Sequence, residues 1–141
     1  MEVRYAVSLQ LMDIMENEYS VLKELLKALE DQNQYLLKRK VFKLDKIVKV
    51  LEEKSRTVAF WEVERRKITD KRPMREVVAE SKDENMKKTY ENIVELLGKV
   101  QLQKDTNEAL IKQWLVFTNQ MLRALNPTRR TVTYNALGKS R

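Results

Sequence analysis

The chain has 141 residues, a formal net charge of +7, 43% apolar and 35% charged residues, and only two glycines and two prolines. That balance excludes a disordered chain and offers little punctuation for a many-turned fold, but it suits long helices with one buried and one solvated face. Cysteine and histidine are absent, which removes disulfides, thiolate nucleophiles, imidazole bases and the usual zinc, copper and haem ligands. The remaining carboxylates and lysines form no recognisable site motif, so no enzyme activity, cofactor or metal site is expected.

The first segment carries acidic residues at Glu2, Asp13 and Glu16, so no signal-peptide core follows a basic start. No stretch approaches the roughly 20 consecutive apolar residues of a membrane span. A cytoplasmic protein without membrane insertion is expected. Over residues 9–37 the column Met15, Leu22, Leu29, Leu36 is apolar throughout, with Leu11, Tyr19, Leu25 and Leu26 beside it; this seven-residue repeat predicts a first long helix over about 2–37. Basic residues 38–40 close it, although neither glycine nor proline marks the break.

A second seam, Leu44, Ile47, Leu51, Lys54, Val58, Trp61, Arg65, Ile68, predicts a helix over about 41–71. Lys54 and Arg65 interrupt it, and their stems are expected to lie on apolar surface with the charged heads in water. Pro73 ends or kinks this helix, and a short element follows at about 74–80. The third seam runs Met86, Tyr90, Ile93, Leu97, Val100, Lys104, Asn107, Ile111, Trp114, Thr118, Met121, Leu125, predicting a helix over about 84–125 with Gly98 inside it at a cost of about 1 kcal/mol relative to alanine. Asn126 and Pro127 stop the pattern.

Short links force neighbouring helices to run oppositely. The expected fold is therefore all-α: an elongated antiparallel up-and-down bundle, or coiled-coil hairpin, of three long helices over residues 1–126, followed by a basic flexible tail at 127–141. Residues 126–141 hold Arg129, Arg130, Lys139 and Arg141 and no acid, so they carry four of the seven net charges and leave three for the rest. A second basic run, Lys38, Arg39, Lys40, Lys43, Lys46 and Lys49 against Asp45 alone, reads as a solvated face, since phosphate binding wants exposed aromatics among the cations and only Phe42 is near. No nucleic-acid partner is expected.

The last helix is more apolar than one packing seam requires. At about 100° per residue, Ile111, Trp114, Met121 and Leu125 cover roughly 80°; Leu110 and Phe117 on one side and Leu115 and Leu122 on the other widen the arc to roughly 160°, and Val116 stands apart. Such a face is expected either when a helix sits between two others or when it accepts an amphipathic helix from a partner.

The run NEALIKQWLVFTNQMLRALNP at 107–127, followed by YNALG at 134–138, resembles the C-terminal signature of the FlgN family of flagellar export chaperones. FWEVERRKI at 60–68 is similar to that family's leucine, acidic, arginine segment on the second helix, and MREVVAES at 74–81 to its short element before the long helix. The resemblance implies a substrate-specific chaperone of flagellar type III secretion, which keeps hook-filament junction proteins unassembled and delivers them to the export gate. Carried over residue by residue, it implies that Leu110, Ile111, Trp114, Leu115, Phe117, Met121, Leu122 and Leu125 contact the client's terminal helix. Tyr134 and Leu137 would dock at the gate. Trp114 is bulkier than the small or polar residue typical of the family there, which leaves its role, client or core, open. The alternative is a structural coiled-coil protein that self-associates without a client; for the chaperone, at most weak homo-oligomerisation is expected.

Overall fold

A computed structural model describes the backbone of residues 2–125 and the side chains from residue 6 onward. The described chain is all helical, with four helices: α1 (Glu2–Leu37), α2 (Val41–Thr69), α3 (Met74–Ser81) and α4 (Glu84–Leu125). The short element expected before the last helix is thus a two-turn helix in its own right. The tail, with Tyr134 and Leu137, lies outside the described residues. The chain divides into two compact units, Met1–Asn107 and Glu108–Arg141, with α4 running through the boundary.

Within the first unit the α1 column is buried as its repeat demands: Leu11, Met15, Leu22, Leu29 and Leu36 are all under a tenth exposed. Leu11, Met15 and Leu22 join Met74 and Val78 of α3 and Met86, Ile93 and Leu96 of α4 in one core cluster, with Val58 and Ile68 of α2 packed against it. Met74 and Val78 are one helical turn apart and so face the same way. At 1.5–3 kcal/mol for each fully buried side chain of this kind, such contacts dominate what holds the unit together.

Polar pairs fix how the helices meet. Arg65 on α2 reaches Glu18 on α1 and Lys54 reaches Glu24, so rising numbers on α1 meet falling numbers on α2. Lys54 is half-buried and its partner Glu24 exposed, but the Arg65 head is not in water as expected. Its side chain is only 19% exposed and donates from Nε to Glu18 Oε1 at 2.9 Å. The seam is interrupted there because a buried carboxylate on the facing helix requires a cation.

Two helix ends explain boundaries that carried no glycine. At the end of α1 the Lys40 amide bonds Tyr35 O, the Arg39 amide bonds Leu36 O, and Arg39 adopts φ 53°. This is the Schellman arrangement, in which a left-handed residue lets two amides satisfy the last free carbonyls. At the end of α2, Asp70 at φ 52° takes the same part and the Lys71 amide bonds Arg66 O. The helix therefore stops at Thr69, ahead of Pro73, which instead precedes the first residue of α3. At the start of α4 the Asp83 carboxylate accepts from the amides of Asn85 and Met86, a side-chain N-cap.

The α4 seam also departs from expectation in one column. Met86, Ile93 and Asn107 are buried and Val100 half-buried, but the alternate places are taken by Leu96 and the half-buried Gln103, while Leu97 and Lys104 lie exposed. Apolar residues at both 96 and 97 leave that column undetermined by pattern. One step lower the choice is between an ammonium and an amide, and the amide can be satisfied inside: Gln103 Nε2 donates to Asn107 Oδ1 at 3.0 Å.

Candidate functional site

The second unit is described over residues 108–125, a single helical stretch. Of the eight side chains expected to meet a client, Leu110, Ile111 and Trp114 are half-buried, and Leu115, Phe117, Met121, Leu122 and Leu125 are exposed, Leu125 by 75%. Val116, which stood apart from the arc, is exposed as well. No side chain over 108–125 is buried. Lys112, Gln113, Val116, Phe117 and Gln120 line a shallow, mainly apolar depression on this stretch. Leu115, Met121, Leu122 and Leu125 are large, apolar and grouped on one helix; a group of this kind, unlike a single exposed residue, marks an interaction surface.

The last residue of the first unit is polar and enclosed. Asn107 is 2% exposed; its Nδ2 donates to Leu29 O at 2.8 Å and to Gln32 Oε1 at 2.9 Å, and its Oδ1 accepts from Asn33 Nδ2 at 3.1 Å and from Gln103. Both ends of the amide are thus satisfied, as burial requires. A single seam asparagine with facing amides admits one register of α4 on α1 and penalises neighbouring ones.

Two further charged places occur in the first unit. Burial pushes the Glu18 carboxyl above the usual carboxylate range; the charge and hydrogen bond of Arg65 work the other way and are outweighed, and Glu62 adds to the rise. A cleft lined by Arg65, Arg66, Lys71, Arg72, Pro73 and Met74 is basic, but its three guanidiniums are already paired with Glu18, Glu62 and Glu80. Among the described residues no group of three or more acidic side chains could hold a metal ion, and no helix is long and apolar enough to cross a membrane.

The periodicity of the helical seams does not show that the turn between α1 and α2 is apolar at its surface. Leu37, Val41 and Phe42 are 60%, 58% and 86% exposed among the cations of residues 38–49. The available signal was the string LKRKVFK itself, where apolar and basic residues alternate without an acid.

Among the described residues the protein is all helical, and its last helix presents a group of large apolar side chains of the kind that marks an interaction surface. The family model described as FlgN protein matches residues 7–141, and the chain belongs to that family, one of flagellar export chaperones. No curated protein and no solved structure matches the chain.

Proposed function

We propose that the protein is a cytoplasmic chaperone of flagellar type III secretion, which binds hook-filament junction proteins through the α4 face, prevents their premature assembly and delivers them to the export gate. The observation that carries this reading is the exposure of Leu115, Phe117, Met121, Leu122 and Leu125 on one face of α4. Burying four such side chains against a client helix contributes about 6–12 kcal/mol before the partner's ordering is subtracted. The remainder fits micromolar to nanomolar, releasable binding. Leu110, Ile111 and Trp114, half-buried, form the N-terminal end of the same strip. Over residues 1–107 the helices serve as an antiparallel up-and-down scaffold, a reading supported by the descending order of the Glu18–Arg65 and Glu24–Lys54 pairs. Tyr134 and Leu137 act as the gate-docking anchors of a basic arm, whose charge raises encounter rates with an acidic surface more than affinity.

The test replaces Leu115, Phe117 and Leu122 with serine and measures junction-protein affinity by calorimetry alongside helicity. Losing three contacts of about 1–2 kcal/mol each weakens binding by roughly 10²–10⁴-fold. Unchanged affinity in a folded triple variant overturns the assignment of this face. A tight dimer in sedimentation that the same substitutions dissolve would favour self-association instead. Removing residues 127–141 is expected to abolish gate association and leave client binding intact.

A further inference from the structure

The turn that joins α1 to α2 is built against the usual rules of helix ends. Helix α2 begins with no side-chain cap on Lys40 and no acid in its first turn; α3 also lacks a side-chain cap but carries Glu76 in its first turn, and α4 carries Glu84 and is capped by Asp83. Free amides and the positive end of the helix dipole favour negative charge at such a place. Here they meet Lys38, Arg39, Lys40 and Lys43 instead, with Lys46 and Lys49 following and Asp45 the single acid over residues 38–49. The rest of α2 is nearly balanced, with Glu52, Glu53, Glu62 and Glu64 against five cations. Arg39 holds φ 53°, a left-handed conformation that glycine would adopt without strain. Cationic side chains and the positive end of the helix dipole thus meet at one turn, with Asp45 the one acid near them.

The same turn exposes Leu37, Val41 and Phe42. We infer that it docks peripherally on the surface of an anionic lipid bilayer, with Phe42 as the apolar anchor and the surrounding lysines on the headgroup phosphates. At about 100° per residue Phe42, Lys46 and Lys49 share an arc of roughly 60° on the side of α2 turned away from buried Ile47. At 1.5 Å per residue the two ammonium-bearing residues stand about 6 and 10 Å behind the phenyl ring along the helix. A bilayer surface has that order, a phosphate layer above an apolar one. Nucleic acid offers the phosphates but no apolar layer for three exposed hydrophobic side chains at a turn. The contact is interfacial, not spanning, and independent of the α4 client face.

Each cation near an anionic surface strengthens partition about fivefold, falling away with salt. The experiment is co-sedimentation of the full chain with vesicles of phosphatidylcholine alone or with one third phosphatidylglycerol, at low and high salt. Binding is expected only to the anionic vesicles. Lys46→Glu with Lys49→Glu should weaken it more than about tenfold, and Phe42→Ser should weaken it several-fold with net charge unchanged; both variants should keep wild-type helicity. The matched reversal of Arg129 and Arg130 to glutamate should have the smaller effect. No binding to anionic vesicles at physiological salt, equal loss from both charge reversals, an unaffected Phe42→Ser variant, or equally tight binding to duplex RNA would each overturn the proposal.

Discussion

Replacing Arg65 with methionine strips the Glu18 carboxylate of its cation while keeping most of the side-chain volume. Breaking a buried pair from one side costs about 3–5 kcal/mol, because the remaining charge is left desolvated. Since the Arg65 side chain is 19% exposed and Glu18 10%, the lower end, about 3 kcal/mol at neutral pH, is expected. The pH dependence follows from the direction of the Glu18 shift. Its carboxyl is raised in the folded protein because burial outweighs Arg65, so the folded state holds this proton more tightly than the unfolded chain. The contribution is fully present below the ordinary carboxylate range and is lost as pH rises through the folded value. Without Arg65 the carboxyl rises further, and the loss extends to higher pH. The variant's deficit should therefore be larger at pH 7 and shrink on acidification toward about pH 4. Replacing both partners, Glu18→Leu with Arg65→Met, should restore or exceed wild-type stability, since an apolar pair carries no desolvation penalty. Urea denaturation of the three proteins and wild type, including Glu18→Leu alone, followed by circular dichroism at both pH values, provides the measurement. A deficit under about 1 kcal/mol at pH 7, or one that is the same in acid, would show that the pair is solvated and the reasoning wrong.

Three other substitutions probe separate parts of the first unit. Asn107→Ala should destabilise by about 2–4 kcal/mol in urea, because it leaves the Gln32 and Gln103 amides with a partner missing in enclosed surroundings, and it should speed amide exchange in α4 before residue 107. Thr69→Val should stabilise by about 1 kcal/mol in a thermal melt, since the Thr69 hydroxyl is buried without a hydrogen-bond partner. Gly98→Ala should stabilise by up to about 1 kcal/mol by the same measurement: the position is mid-helix and a Cβ there would meet nothing within 4 Å.

The long helices were legible because each carries a repeat that only a helix can place on one side. The α1 column Met15, Leu22, Leu29, Leu36 is both the clearest pattern and wholly buried. What could not be read depends on partners far along the chain. Arg65 looked like a flaw in a seam because nothing in the local string shows that Glu18 will lie opposite it. Leu96 and Leu97 competed for one inward column, and the decision rested on whether Gln103 or Lys104 could be satisfied inside. The ends of α1 and α2 were silent because arginine and aspartate, at φ 53° and 52°, take the place glycine usually signals.

The candidate face of α4 shows how an excess can be read where a contact cannot. Between residues 84 and 107 the large apolar side chains off the buried seam are Val94, Leu97 and Leu102, three over the longer part of the helix. Between 108 and 125 they are Leu110, Leu115, Val116, Phe117 and Leu122, a denser set in a shorter stretch. Scattered exposed apolar residues are ordinary on any protein surface and need no partner. Crowded on one helix they raise the free energy of the isolated chain and would be selected against unless their burial elsewhere offsets it. Density off the seam therefore carries the functional signal. The seam itself cannot: its heptad continues past Asn107 through Ile111 and Trp114 to Leu125, while full burial stops at Asn107.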